Sequence, residues 1–115
     1  MRILVIDDDA TVGRGIARML RQYDVTTETD PVRGIALAIS DVPFDVVLCD
    51  FHMQGLTGAD VIRALHAAHV PTSCVLMSGT DDVPETGADA VLTKPFRMEH
   101  LRSLIAQLGG QQLAA

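Results

Sequence analysis

Apolar positions along the chain alternate between two periods. Five short runs are nearly continuous in hydrophobic side chains: Ile3–Ile6, Val25–Thr29 (weaker and alternating), Val46–Cys49, Cys74–Met77 and Ala90–Leu92. Between the first four, apolar residues recur every three or four positions, as they do on one face of a helix. Val12, Ile16, Met19 and Leu20 form one such stripe, and Val61, Ile62, Leu65 and Ala68 form another. Asp30-Pro31 supplies an N-cap and a proline for the first helical position, opening a helix with Val32, Ile35 and Ile39 expected inward. After the fifth run, Met98, Leu101, Leu104, Ile105 and Leu108 make a further stripe, which Gly109-Gly110 is expected to stop.

The order is therefore strand–helix, repeated five times. Near-continuous apolar strands between amphipathic helices imply a parallel sheet covered on both faces, an α/β fold. Right-handed crossovers with helices on two faces require the winding to reverse once, and for five units the usual solution is the doubly wound order 2-1-3-4-5. One unit is irregular. Only the twelve residues "SGTDDVPETGAD" separate Met77 from Ala90, so the fourth helix is expected to be shortened or missing. The expected domain covers residues 1–110, with 111–115 as a short tail or truncated linker.

Length and charge narrow the class. A chain of 115 residues with 48% hydrophobic side chains can bury a core without staples. No apolar run is long enough to cross a bilayer and no signal-peptide pattern precedes the first strand, so a cytoplasmic protein is expected. A net charge of −6 with dispersed arginines argues against direct nucleic-acid binding. Cys49 and Cys74 both lie in apolar runs and are expected to be inert, buried thiols.

In open α/β sheets, ligands sit beyond the carboxyl ends of the strands where the winding reverses. There the first strand ends in Asp7-Asp8-Asp9, the third in Asp50, the fourth in Ser78-Gly79, and the fifth leads to Lys94-Pro95. Lys94 is the only lysine in the chain. Converging carboxylates call for a cation, and an oxygen-only site with room for water suits Mg²⁺ or Mn²⁺. A lysine and a hydroxyl facing the same metal suggest a second, anionic ligand, for which a phosphoryl group is the natural candidate. A carboxylate placed there can itself be the nucleophile. Asp9 is read differently, as the N-cap of the first helix.

These residues resemble the receiver domain of two-component response regulators over essentially the whole chain. "ILVIDDD" resembles the family's first strand with its acidic pair, here Asp7 and Asp8. "FDVVLCDFHMQGLTG" resembles the third strand and phosphoacceptor loop, with Asp50 as acceptor and Gly58 opening the next helix. "VLMSG" supplies Ser78 and Gly79, and "GADAVLTKPF" supplies Lys94-Pro95-Phe96. The resemblance implies a flavodoxin-like fold and Mg²⁺-dependent transfer of a phosphoryl group to Asp50. The donor would be a sensor histidine kinase or phosphotransfer protein, and the output a downstream protein effector. It further implies metal ligation by Asp8, Asp50 and the backbone carbonyl of His52, with Asp7 acting mainly through water. Lys94 would pair with Asp50 at rest and with phosphoryl oxygens afterwards, while Ser78 and the Gly79 N–H donate to the same oxygens. A cis Lys94–Pro95 bond is implied as well. Such a module catalyses its own phosphorylation and dephosphorylation but is not a turnover enzyme.

The chain departs from the family pattern in three places. Gln54 stands where the family usually has proline, Val91 where an aromatic often swings inward, and the fourth helix is cut short. His52 either tunes the phosphoryl region or is an exposed loop histidine. His66 and His69 lack further ligands, and His69 is expected to meet the dipole at a helix end. Arg14, Arg18 and Arg21 form either a solvated face or part of a kinase-docking surface. Two rival classes remain: a non-phosphorylated pseudo-receiver that only binds partners, and an aspartyl-phosphate hydrolase of the haloacid-dehalogenase type. The hydrolase would want a second acid where this chain has His52, and the pseudo-receiver sits badly with the full set of Asp7, Asp8, Asp50, Ser78 and Lys94.

Overall fold

The computed structural model describes residues 1–80 and 86–114, with side chains through residue 109. Nine elements follow in order among them: β1 (Arg2–Ile6), α1 (Ala10–Met19), β2 (Asp24–Glu28), α2 (Pro31–Ile39), β3 (Val46–Asp50), α3 (Gly58–Ala67), β4 (Ser73–Ser78), β5 (Ala90–Thr93) and α4 (Met98–Ala114). All strand pairs are parallel, and the sheet order is β2-β1-β3-β4-β5. The expected shortening of the helix between β4 and β5 falls largely on 81–85, outside the described residues. Gly79, Thr80 and residues 86–89 beside that segment carry no helix.

Alternation along each strand sorts the core into two layers. Ile3, Val5, Leu48, Val75 and Met77 point to one face, where Ile16 and Leu20 of the α1 region and Leu101 and Ile105 of α4 cover them. Leu4, Ile6, Val47, Cys49 and Leu76 point to the other, beneath Ala38 of α2 and Val61, Ile62 and Leu65 of α3. Burying each such side chain contributes roughly 1.5–3 kcal/mol, so two-sided burial of the central strands overrides their lack of polar alternation.

The helix starts follow their local chemistry. The Asp9 carboxylate accepts from the Thr11 N–H at 2.9 Å, which confirms it as the cap of α1. The Asp30 carboxylate accepts from the Val32 N–H at 3.0 Å, with Pro31 in the first turn. Thr57 and Asp60 cap α3 reciprocally. That helix ends with the Val70 N–H on the Leu65 carbonyl and the His69 N–H on the His66 carbonyl. This is a Schellman turn with His69 in the left-handed region at φ 56°.

Four expectations about helix faces and ends do not hold, one of them Met98, which opens α4 39% exposed rather than inside its apolar stripe. Val32 and Ile39 are exposed, at 64% and 45%, and α2 instead turns Pro31, Gly34 and Ala38 inward. A Cβ at Gly34 would stand 2.6 Å from Ile6 Cδ1, so β1 and α2 approach too closely for a larger side chain. Ala68 is exposed because it caps α3 rather than continuing its stripe. Gly109-Gly110 does not stop the last helix, which runs to Ala114. Gly109 is buried, and a Cβ there would meet the flexible end of the Met1 side chain.

Candidate functional site

The strand order makes β1 and β3 neighbours, and their carboxyl ends carry the acids. Asp7 follows β1 directly and is held in register by its N–H on the Glu28 carbonyl at 3.1 Å. Its carboxylate is buried and accepts from the Asp9 N–H at 2.9 Å. Asp50 closes β3 and is 8% exposed. Asp8 is exposed and accepts from the Gln54 N–H at 3.3 Å. One oxygen from each of Asp7, Asp8 and Asp50 lies within 4.8 Å of the other two.

Lys94 arrives from the loop after β5, on the far side of β4. Its N–H donates to the Ser78 carbonyl at 2.7 Å, and the Lys94–Pro95 peptide is cis. Its ammonium spans the acids, 3.2 Å from Asp7 Oδ2 and 3.3 Å from Asp50 Oδ1. Burial alone would lower the Lys94 pKa, but the Asp50 and Asp7 carboxylates outweigh it and the net direction is up. Burial, and then the charge of Asp7, raise the Asp50 pKa above the usual carboxylate value even though Lys94 pulls it down.

The remaining expected residues take up distinct positions. Ser78 ends β4 fully buried, and its hydroxyl accepts from the Thr80 N–H at 3.2 Å, so it is engaged by its own loop. Gly79 is exposed just beyond it. His52 is exposed in the loop after Asp50, with its ring edge-on to Phe51 at 4.8 Å. Gly58 closes that loop: a Cβ there would lie 2.8 Å from the Asp50 carbonyl oxygen and 2.5 Å from Leu76 Cδ2. Val91 is 46% exposed, so no inward-swinging side chain occupies its position. Arg14, Arg18 and Arg21 are all exposed. Cys49 and Cys74 are free and buried, and burial pushes the Cys74 thiol up to about 12.

The donor chemistry fits the expected cation. Three ionised carboxylates against one ammonium leave two negative charges in excess, and every side-chain donor in the cluster is an oxygen. Such a set suits a hard divalent ion. Beside the rim, Val12, Ile16, Met19, Pro95, Phe96 and the Lys94 stem line an apolar groove of about 480 Å³.

A sequence model of the response regulator receiver domain matches residues 3–106. The chain belongs to that family. This receiver is 31% identical over 110 residues to the cell cycle transcriptional regulator CtrA of Caulobacter vibrioides, a match covering 88% of this chain and 47% of that protein. It thus spans about half the length of the curated relatives it matches. Among solved structures, a response regulator receiver domain from Clostridium thermocellum has a TM-score of 0.90 at 24% identity, covering 98% of this chain and 97% of that one. The receiver domain of the sensor histidine kinase PA1611 from Pseudomonas aeruginosa, described with a magnesium ion coordinated in its active site cleft, has a TM-score of 0.86 at 22% identity. That match covers 95% of this chain and 97% of the other. Both likenesses establish the fold. Response regulators interact with histidine kinases and downstream effectors. Among the described residues, no helix of this receiver is long and apolar enough to cross a membrane.

Two features of the rim lay beyond the sequence signals. The lysine is shared between Asp7 and Asp50 rather than paired with Asp50 alone. The loop after Asp50 returns a backbone N–H to Asp8, and a backbone donor leaves no trace in residue type.

Proposed function

We propose that this receiver accepts a phosphoryl group on Asp50 from the phosphohistidine of a sensor kinase or phosphotransfer protein and signals through altered protein contacts. The Lys94 ammonium bridging Asp7 and Asp50, at the rim where three carboxylates meet, carries the reading. An oxygen of Asp50 attacks phosphorus in line, the P–N bond of the donor breaks, and the imidazole leaves with the electron pair. Lys94 holds Asp50 before the reaction and follows the phosphoryl oxygens after it. Ser78 joins them by turning its hydroxyl proton toward the new anion while its oxygen still accepts from the Thr80 N–H, and the Gly79 N–H donates alongside it. Transfer of this kind needs mostly positioning and charge stabilisation.

Asp7, Asp8 and Asp50, with the backbone carbonyl of His52, would hold Mg²⁺ or Mn²⁺; the magnesium coordinated by the PA1611 receiver supports this choice. Bound there, the cation supplies positive charge that offsets both the carboxylate repulsion and the charge of the incoming phosphoryl oxygens. Residues 1–110 act as the signalling unit, in the cytoplasm, without turnover of a substrate pool.

Intact-mass measurement after incubation with Mg²⁺ and a small phosphodonor tests the reading. One base-labile phosphate per chain is expected, absent in Asp50→Asn. No adduct, or an adduct that survives the substitution, overturns it, and release of many equivalents of free phosphate would identify a hydrolase.

A further inference from the structure

The loop between β3 and α3 is pinned at both ends. At its start the Phe51 N–H donates to the Met77 carbonyl at 2.9 Å, and at its end the Gly58 N–H returns to the Phe51 carbonyl at 2.9 Å. Between these anchors, Gln54 reaches back to the rim. Its backbone N–H meets Asp8 Oδ2, forty-six positions away in sequence, at 3.3 Å, and Gly55 at φ 90° turns the chain immediately afterwards. Positive φ at that step is open to glycine at little cost. The Gln54–Gly55 pair is thus built to present a main-chain donor to an exposed carboxylate.

We infer that the Gln54 backbone N–H is a positioning group for the cation site: it fixes the Asp8 carboxylate through one oxygen and leaves the other free to ligate. Asp8 needs such a device more than its neighbours do. Asp7 is buried and held by the Asp9 N–H and Lys94, and Asp50 is held by Lys94. Asp8 is exposed, and among the described residues its carboxylate accepts only from Gln54. A free carboxylate rotor must be ordered when it ligates, whereas one already oriented has lost that freedom. A donor bonded to an ionised acceptor is also stronger than a neutral pair. The bond links loop and cation reciprocally: whatever orders the loop tightens the cation, and the cation in turn orders the loop that carries His52 and feeds α3. The linkage belongs to this chain's residue type at 54, because a proline in the same place has no N–H to give.

The inference rests on the cation site proposed above, and the experiment separates the two. Mg²⁺ binding is measured by calorimetry for the unsubstituted protein, Gln54→Ala and Gln54→Pro, without phosphodonor. Alanine keeps the N–H and is expected to bind within about twofold of the parent. Proline removes it and is expected to bind roughly three- to tenfold more weakly, the range for losing one hydrogen bond of modest strength. In parallel, the amide proton of Gln54 is followed by NMR during Mg²⁺ titration of the parent, where it is expected to shift with the calorimetric midpoint. Equal affinities for the alanine and proline proteins, or tighter binding by proline, overturn the inference while leaving the cation site standing. Should Gln54→Pro not fold, an amide proton that exchanges freely and ignores Mg²⁺ overturns it as well. No Mg²⁺ binding by the parent removes the cation site and this inference with it.

Discussion

Replacing Asp8 by asparagine should make the metal-free protein more stable and make it indifferent to Mg²⁺. An oxygen of Asp8 lies within 4.8 Å of oxygens on both Asp7 and Asp50. At that separation, a like-charge pair costs about 0.9 kcal/mol in water and about 3.5 kcal/mol at an effective dielectric near 20. Asp8 is exposed, so the lower figure applies, and two such pairs amount to about 2 kcal/mol. Losing the charge assistance in the bond from Gln54 reduces the gain to about 1 kcal/mol net. For a domain of this size that corresponds to a rise in Tm of roughly 4 °C.

The same substitution removes a cation ligand. A ligand present at a hundredfold over its Kd stabilises the folded state by about 2.7 kcal/mol, so the unsubstituted protein should gain roughly 10 °C with saturating Mg²⁺. Scanning calorimetry in chelator and in Mg²⁺, at low ionic strength, resolves both effects. The two proteins should therefore exchange rank: Asp8→Asn melts higher in chelator, and the parent melts higher in Mg²⁺. Molar salt should shrink the chelator difference, because it screens charges beyond about 3 Å. An Asp8→Asn protein that melts lower without metal, or that keeps the full Mg²⁺ response, refutes the electrostatic account of the rim.

Two further predictions concern α3. His69 sits in the left-handed region at the end of its Schellman turn, where a side chain is strained. His69→Gly is therefore expected to raise stability by about 1 kcal/mol, seen as a higher urea midpoint at unchanged slope; no gain refutes it. At the other end, the backbone and side-chain hydrogen bonds from Thr57, and then Arg63, hold the Asp60 carboxyl below its ordinary value. A depressed native pKa adds stability above the unfolded value, near 3.9, and loses it as pH falls through the native one. Asp60→Ala should thus be less stable than the parent at pH 7, with a gap that narrows below about pH 4, and a constant gap from pH 7 to 3 counts against the cap.

The features legible in the sequence were those carried by residue type. Apolar runs located the strands, and helical spacing between them implied a parallel sheet whose order followed from winding. Asp9 and Asp30 were recognisable as caps because short acidic side chains before a helix have few other uses. The rim acids were legible because the winding reversal concentrates ligands at strand ends. What escaped was distance. Val32 and Ile39 were expected inside α2 on hydrophobicity, yet α2 turns Pro31, Gly34 and Ala38 inward, and at Gly34 it approaches β1 so closely that a Cβ would stand 2.6 Å from Ile6 Cδ1. Gly109 carried the composition of a helix stop, yet the helix runs through it to Ala114, with the end of the Met1 side chain packed beside it. In both cases the spacing between packed elements, which residue type does not record, set the outcome.

The same blindness hid the most specific part of the site. Gln54 is conspicuous in the sequence only for not being proline, which reads as a loss of rigidity. In three dimensions it is a gain of a donor, because the N–H that proline lacks lies 3.3 Å from Asp8. Loop and rim are therefore coupled through a bond that residue identity can forbid but cannot reveal. The structural consequence of a departure from a family pattern lies as much in the group it restores as in the one it removes. At position 54 the restored group faces the one rim acid that nothing else among the described residues holds.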